Sequence, residues 1–153
     1  MPRIKFALPA TYSFSTVIPI RITDINYGGH VGNDTILSLL HESRLQFLRY
    51  HGYNELDIGG VGLIMSDVAI DFKKELFYGN NIRVLISAGD FTKFTFELYY
   101  KIELEAEEKI VIIATAKTGM VSYNYKNKKI EVLPEYVKSK LMSPVRIDNI
   151  CLL

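Results

Sequence analysis

Cysteine is almost missing: the 153 residues contain one, Cys151. A single thiol cannot staple a fold, and the commonest zinc sites need two Cys-Cys pairs. Cys151 stands three residues from the end where a prenylation box needs four, so it reads as an inert tail residue. An excess of either charge is also missing. Eighteen Lys and Arg face 17 Asp and Glu, and a net charge of +1 offers no basic field to a phosphate backbone. No uncharged run approaches the roughly 20 residues that span a bilayer. Near the N-terminus, Pro2 and Pro9 bracket the only apolar stretch, leaving no continuous secretory core. The three histidines have no metal-ligand spacing among themselves. The expectation is a cytoplasmic protein that needs no metal, binds no nucleic acid and does not enter a membrane.

What is present is folding material. Hydrophobic residues make up 48% of the chain and charged residues 23%, which argues against disorder. The length suits one domain, able to bury about 68–70% of the surface its unfolded form exposes. There is no internal repeat, low-complexity tract or linker. One domain is therefore expected over 1–153, with its core at about 14–142 and a C-terminal tail at 143–153.

The hydrophobic period changes once. Ile36, Leu37, Leu40, Phe47 and Leu48 share one helical arc, with Asn33 or Asp34 as N-cap and Gly52 as the stop. This predicts a helix over about 34–51. Most of the rest alternates as strands do. Ile18, Ile20, Ile22 and Asp24 keep one phase over 16–24, and strands are expected at 61–73, 82–88, 94–104 and 109–123. Gly79-Asn80-Asn81, Glu107-Glu108 and Lys126 to Lys129 supply turns, Ile130 to Leu133 returns from the last, and Pro134 opens a short helix to about Leu141. One long helix among antiparallel strands implies an α+β fold whose sheet curls around the helix. The strand at 109–123 is apolar on both faces around Ile110 to Ala114, so a second subunit is the economical cover and an oligomer is expected.

Chemistry concentrates in Arg21-Ile-Thr-Asp-Ile-Asn-Tyr-Gly-Gly-His-Val-Gly-Asn33, which runs into the long helix. Gly28, Gly29 and Gly32 allow close approach to the backbone, and the first amides of a helix suit an anion or oxyanion. The phase of Asp24 aims its carboxylate at the core, where burial makes it a better proton acceptor near neutral pH. On physics alone the loop serves equally well as a tight turn. It matches neither the dinucleotide fingerprint nor the P-loop. Asp24 could pair with Arg21 or Arg44, and His30 could be an exposed loop residue. Arg44 falls within the apolar arc and needs a carboxylate partner, for which this loop is a reasonable source. Glu42 lies on the polar side of the helix, and His51 sits at its end, where the dipole favours an imidazolium.

Asp24-Ile-Asn-Tyr-Gly-Gly-His-Val-Gly-Asn33, followed by Leu40-His-Glu-Ser-Arg-Leu45, resembles the hot-dog-fold thioesterases of the 4-hydroxybenzoyl-CoA thioesterase-like group. Their motif runs Asp-x-Asp-x-x-Gly-His-Val-Asn-Asn, then a helix with Glu-Ala-Arg. The resemblance implies a sheet wrapped around a central helix and a homodimer or homotetramer with interfacial sites. It also implies hydrolysis of acyl-CoA or acyl-carrier-protein thioesters without a cofactor. The motif's second aspartate, usually the nucleophile or base, falls here at Asn26, and an amide cannot take up a proton. Asp24 and Glu42 are therefore the candidate bases, with Asn26 orienting the carbonyl or water and His30 positioning or polarising the substrate. Tyr27, Gly28, Gly29 and Val31 are the candidate substrate-binding residues, with the oxyanion near the Gly29 and His30 amides. A hot-dog hydratase or dehydratase using His30 and Glu42, and a non-catalytic acyl-CoA-binding protein, are the alternatives.

Overall fold

The computed structural model describes residues 3–144; the expected tail beyond Pro144, with Cys151, lies outside that range. Six strands form one antiparallel sheet. They are β1 (Phe14–Pro19), β2 (Gly62–Phe72), β3 (Asn81–Gly89), β4 (Thr95–Ala106), β5 (Lys109–Asn124) and β6 (Lys129–Ile130), in the order β1-β3-β4-β5-β2, with β6 paired to the end of β5. Between β1 and β2 lies the long helix α1 (Asn33–Tyr50), and α2 (Glu135–Met142) closes the described chain.

The alternation in β4 is realised almost without exception. Phe96, Leu98, Tyr100 and Ile102 are buried on one face, and their neighbours are more exposed. On β3, Ile82, Val84, Ile86 and Ala88 are buried in the same way, and β3 pairs in register with β4 from Ile82–Leu104 to Gly89–Glu97. Glu107 and Glu108 both have positive φ, the left-handed geometry of a tight hairpin between β4 and β5. Against this sheet α1 buries Ile36, Leu39, Leu40, Ser43, Arg44, Phe47 and Leu48. These positions repeat at helical spacing, so one stripe of the helix forms the middle of the core. Leu40, Phe47 and Leu48 lose all solvent contact. The expected architecture, a curved sheet around one long helix, is the one observed.

Three local expectations change. The first strand ends at Pro19, and Ile22–Asp24 forms a 3-10 turn rather than continuing the alternation. Helix α1 begins one residue early with Gly32 as its N-cap, so neither Asn33 nor Asp34 caps it. Leu39, not Leu37, completes the buried stripe.

Candidate active site

The segment from the end of β1 to α1 is held by its own hydrogen bonds and by the connection between β2 and β3. Ile20 N–H donates to Asn80 O at 2.8 Å, and Val31 N–H donates to Leu76 O at 2.9 Å. Within the loop, Asn26 N–H donates to His30 O, and Gly29 N–H donates to Asn26 O. Gly29 takes a φ of +83°, which favours glycine there. The Asn26 side chain closes the turn, its Oδ1 accepting from Gly28 N–H at 2.9 Å. Asn26 is thereby drawn into shaping the loop. Tyr27 projects fully into solvent.

Asp24 is buried, but not through strand phase, since Ile22 in that same phase is exposed; the 3-10 turn buries Asp24 and gives it a different task. One carboxylate oxygen accepts from Arg21 N–H at 2.8 Å, and the other pairs with the Arg21 guanidinium at 3.3 Å. Both oxygens are thus engaged with Arg21, one of its two anticipated partners. Arg44, the other, pairs with Glu55: its Nε lies 2.7 Å from Glu55 Oε1, and its Nη1 donates to Tyr100 Oη at 3.4 Å. Glu55 comes from the segment after α1, not from the loop. Burial opposes its charge, but Arg44 and then His41 (3.1 Å) outweigh that and hold its pKa below the usual carboxylate value. His51 is also corrected. It is buried against Phe47 and Tyr50, and burial together with nearby Lys140 pushes its pKa down, so the neutral ring is favoured over the imidazolium.

Two crevices flank the loop, and they share no lining residue. One, of about 380 Å³, lies between β1 and α1 and holds both Asp24 and Glu42. Glu42 is exposed there and accepts one hydrogen bond, from Gln46 at 2.8 Å. The other, of about 220 Å³, lies at the start of α1 and holds His30, Val31 and Asn33 against Lys73, Lys74 and Glu75. Ile36, Phe72, Leu76, Ile113 and Ala114 give it apolar walls. His30 Nδ1 lies 3.1 Å from Val31 O, and Nε2 lies 3.8 Å from Glu75 Oε1. The His30 main-chain N–H has no acceptor among the described residues.

The structure therefore brings Asp24 together with Glu42, and His30 together with Val31, but not the two pairs together in one chain. Sequence reading missed Glu55 and Glu75. Each meets its partner only through a turn of the backbone that no periodicity records. Among the described residues no cluster of His, Cys, Asp and Glu suits a metal ion, and no helix is long and apolar enough to cross a membrane.

A family model described as the Thioesterase-like superfamily matches residues 20–141. A protein of Aquifex aeolicus (strain VF5), provisionally described as an esterase, is 28% identical over 111 residues, covering 71% of this chain and 82% of that one. A 1,4-dihydroxy-2-naphthoyl-CoA thioesterase from Synechocystis superposes with a TM-score of 0.74 at 20% identity, over 84% of this chain and 94% of its own. A gentisyl-coenzyme A thioesterase superposes with a TM-score of 0.72 at 17% identity, over 84% and 99%. Likeness to these two structures establishes a shared fold.

Proposed function

The chain belongs to the thioesterase-like superfamily, and from that membership we propose that this hydrolase cleaves an acyl-CoA or acyl-carrier-protein thioester to a free acid and a thiol. The observation that carries the reading is the junction of loop and helix. An exposed glycine turn, a main-chain N–H without an acceptor and an imidazole stand there beside an apolar-walled crevice. A thioester is already an activated acyl donor, so a modest set of groups suffices. Its carbonyl oxygen would accept from the His30 N–H as charge develops, and such a donor is worth most where water is excluded. Asp34 puts a carboxylate in the first turn of α1, which leaves the loop amide as the better oxyanion donor. Gly28, Gly29, Val31 and Tyr27 would border the bound acyl group or its carrier.

Asp24 and Glu42 remain the candidate bases for a thioester entering along the crevice between β1 and α1. Glu42 is the freer, because Arg21 engages both oxygens of Asp24. Along α1, Glu42 stands nine residues beyond Asn33, about 13 Å at 1.5 Å per residue. That distance separates Glu42 from a carbonyl bound at the helix start of the same chain. We assign the protein to the cytoplasm and to a homodimer or homotetramer, without cofactor. In support of the assembly, Met65 and Val68 on edge strand β2, and Ile110 and Ile112 on β5, are exposed in the single chain.

The hydratase alternative predicts a different product. Incubation with saturated and enoyl-CoA thioesters should release free thiol from both, with no consumption of the double bond. Loss of the enoyl absorbance without thiol release would overturn the proposal in favour of hydration.

A further inference from the structure

Thioester hydrolysis at the loop–helix junction needs a proton acceptor within reach of the carbonyl. The crevice beside His30 contains a carboxylate of its own. Val31 N–H donates to Leu76 O, and this bond sets the loop alongside the segment that follows β2. The preceding residue on each strand of that contact is His30 or Glu75, and both line the same crevice. They are 45 residues apart in the sequence, yet their side chains approach to 3.8 Å.

We infer that His30 and Glu75 act as a pair that holds and deprotonates the hydrolytic water, an inference that rests on the thioesterase reading above. The tautomer follows from the neighbours. Nδ1 faces a carbonyl oxygen, which only accepts, so Nδ1 carries the hydrogen and Nε2 presents a lone pair. Two acceptors 3.8 Å apart do not bond to each other, but a water about 2.8 Å from each fits between them and donates to both. When the water oxygen attacks the thioester carbonyl carbon, its proton passes to Nε2. The Glu75 carboxylate holds the second hydrogen and faces the imidazolium that forms. The carbonyl oxygen meanwhile gathers charge against the His30 N–H. Collapse of the tetrahedral adduct breaks the C–S bond, and the departing sulfur takes the proton from Nε2. One water is consumed, and one carboxylic acid and one thiol are formed. An imidazole is the side chain most often used for such a proton transfer.

The pair explains how the chain can do without a carboxylate at position 26. It also separates the roles of the acids: Asp24 staples the turn through Arg21, and Glu75 serves the reacting water.

The test measures kcat and KM for thiol release by the full chain and by Glu75→Gln, His30→Gln, the double variant, Asp24→Asn and Glu42→Gln. The expected result is a loss of about 10²-fold or more in kcat for Glu75→Gln and for His30→Gln, with KM little changed. The double variant should lose no more than the worse single one, since groups that act as a unit are not additive. Glu75 is 64% exposed, so the melting temperature of Glu75→Gln should stay at the parent value. Glu75→Asp should recover part of the rate. Parental kcat in Glu75→Gln, or a loss confined to Asp24→Asn or Glu42→Gln, overturns the pair and leaves the thioesterase reading standing. Absence of thiol release by the unaltered chain on every thioester overturns both.

Discussion

At the C-terminal end of a helix, a protonated imidazole typically gains about 0.3–1 kcal/mol from the dipole. His51 stands at that end of α1, yet burial and the nearby Lys140 ammonium disfavour its charge. The unfolded chain binds this proton near pH 6.5 and the folded chain only at lower pH, so folding stability falls as pH drops below about 6.5. Melting curves between pH 7 and pH 5 should therefore show a shallower loss of stability in His51→Gln than in the parent; identical slopes would contradict the burial argument. Asn26 offers a second test at this scale. Its Oδ1 accepts from Gly28 N–H, a role that a carboxylate oxygen can fill. Asn26→Asp should keep the parent's melting temperature, and Asn26→Ala should lose about 1 kcal/mol in denaturant titration.

Helix α1 carries both a buried apolar stripe and a buried cation. Arg44 lies within its buried stripe with a side chain only 6% exposed, and Glu55 supplies its charge partner. Removing the partner leaves a guanidinium with nothing to neutralise it, so Glu55→Ala should cost about 1–3 kcal/mol by chemical denaturation. Because Glu55 titrates below the usual carboxylate range, its contribution is complete above that range and is lost as pH falls through the lowered value. The existence and period of α1 were legible in the sequence, because Ile36, Leu40, Phe47 and Leu48 recur on one arc. The strands were legible for the same reason, β4 most of all. The end of β1 was not. Ile18, Ile20, Ile22 and Asp24 keep strand phase, but the Arg21–Asp24 contact closes a turn that competes with extension. The site was legible only where one segment contained it. The loop and its helix could be read directly, whereas Glu75 reaches His30 through the Val31–Leu76 bond, which joins segments far apart in the chain.

For the whole molecule, the sheet leaves β2 at one edge, with Met65 and Val68 partly exposed, and an open edge of this kind invites pairing with another chain. Sedimentation should therefore show a species heavier than the 17.5 kDa chain, and Val68→Lys should shift it toward the monomer. A 17.5 kDa species alone at micromolar concentration would remove the second copy from the proposal. Substrate position is the claim on which the rest depends, and it can be observed without turnover. A non-hydrolysable acyl-CoA thioether, titrated into isotopically labelled protein, would reveal the bound carbonyl through the backbone amide spectrum. The largest shifts are expected at Gly29, His30, Asn33 and Glu75. Saturable binding that moves other amides and leaves these four at their free positions would contradict the account.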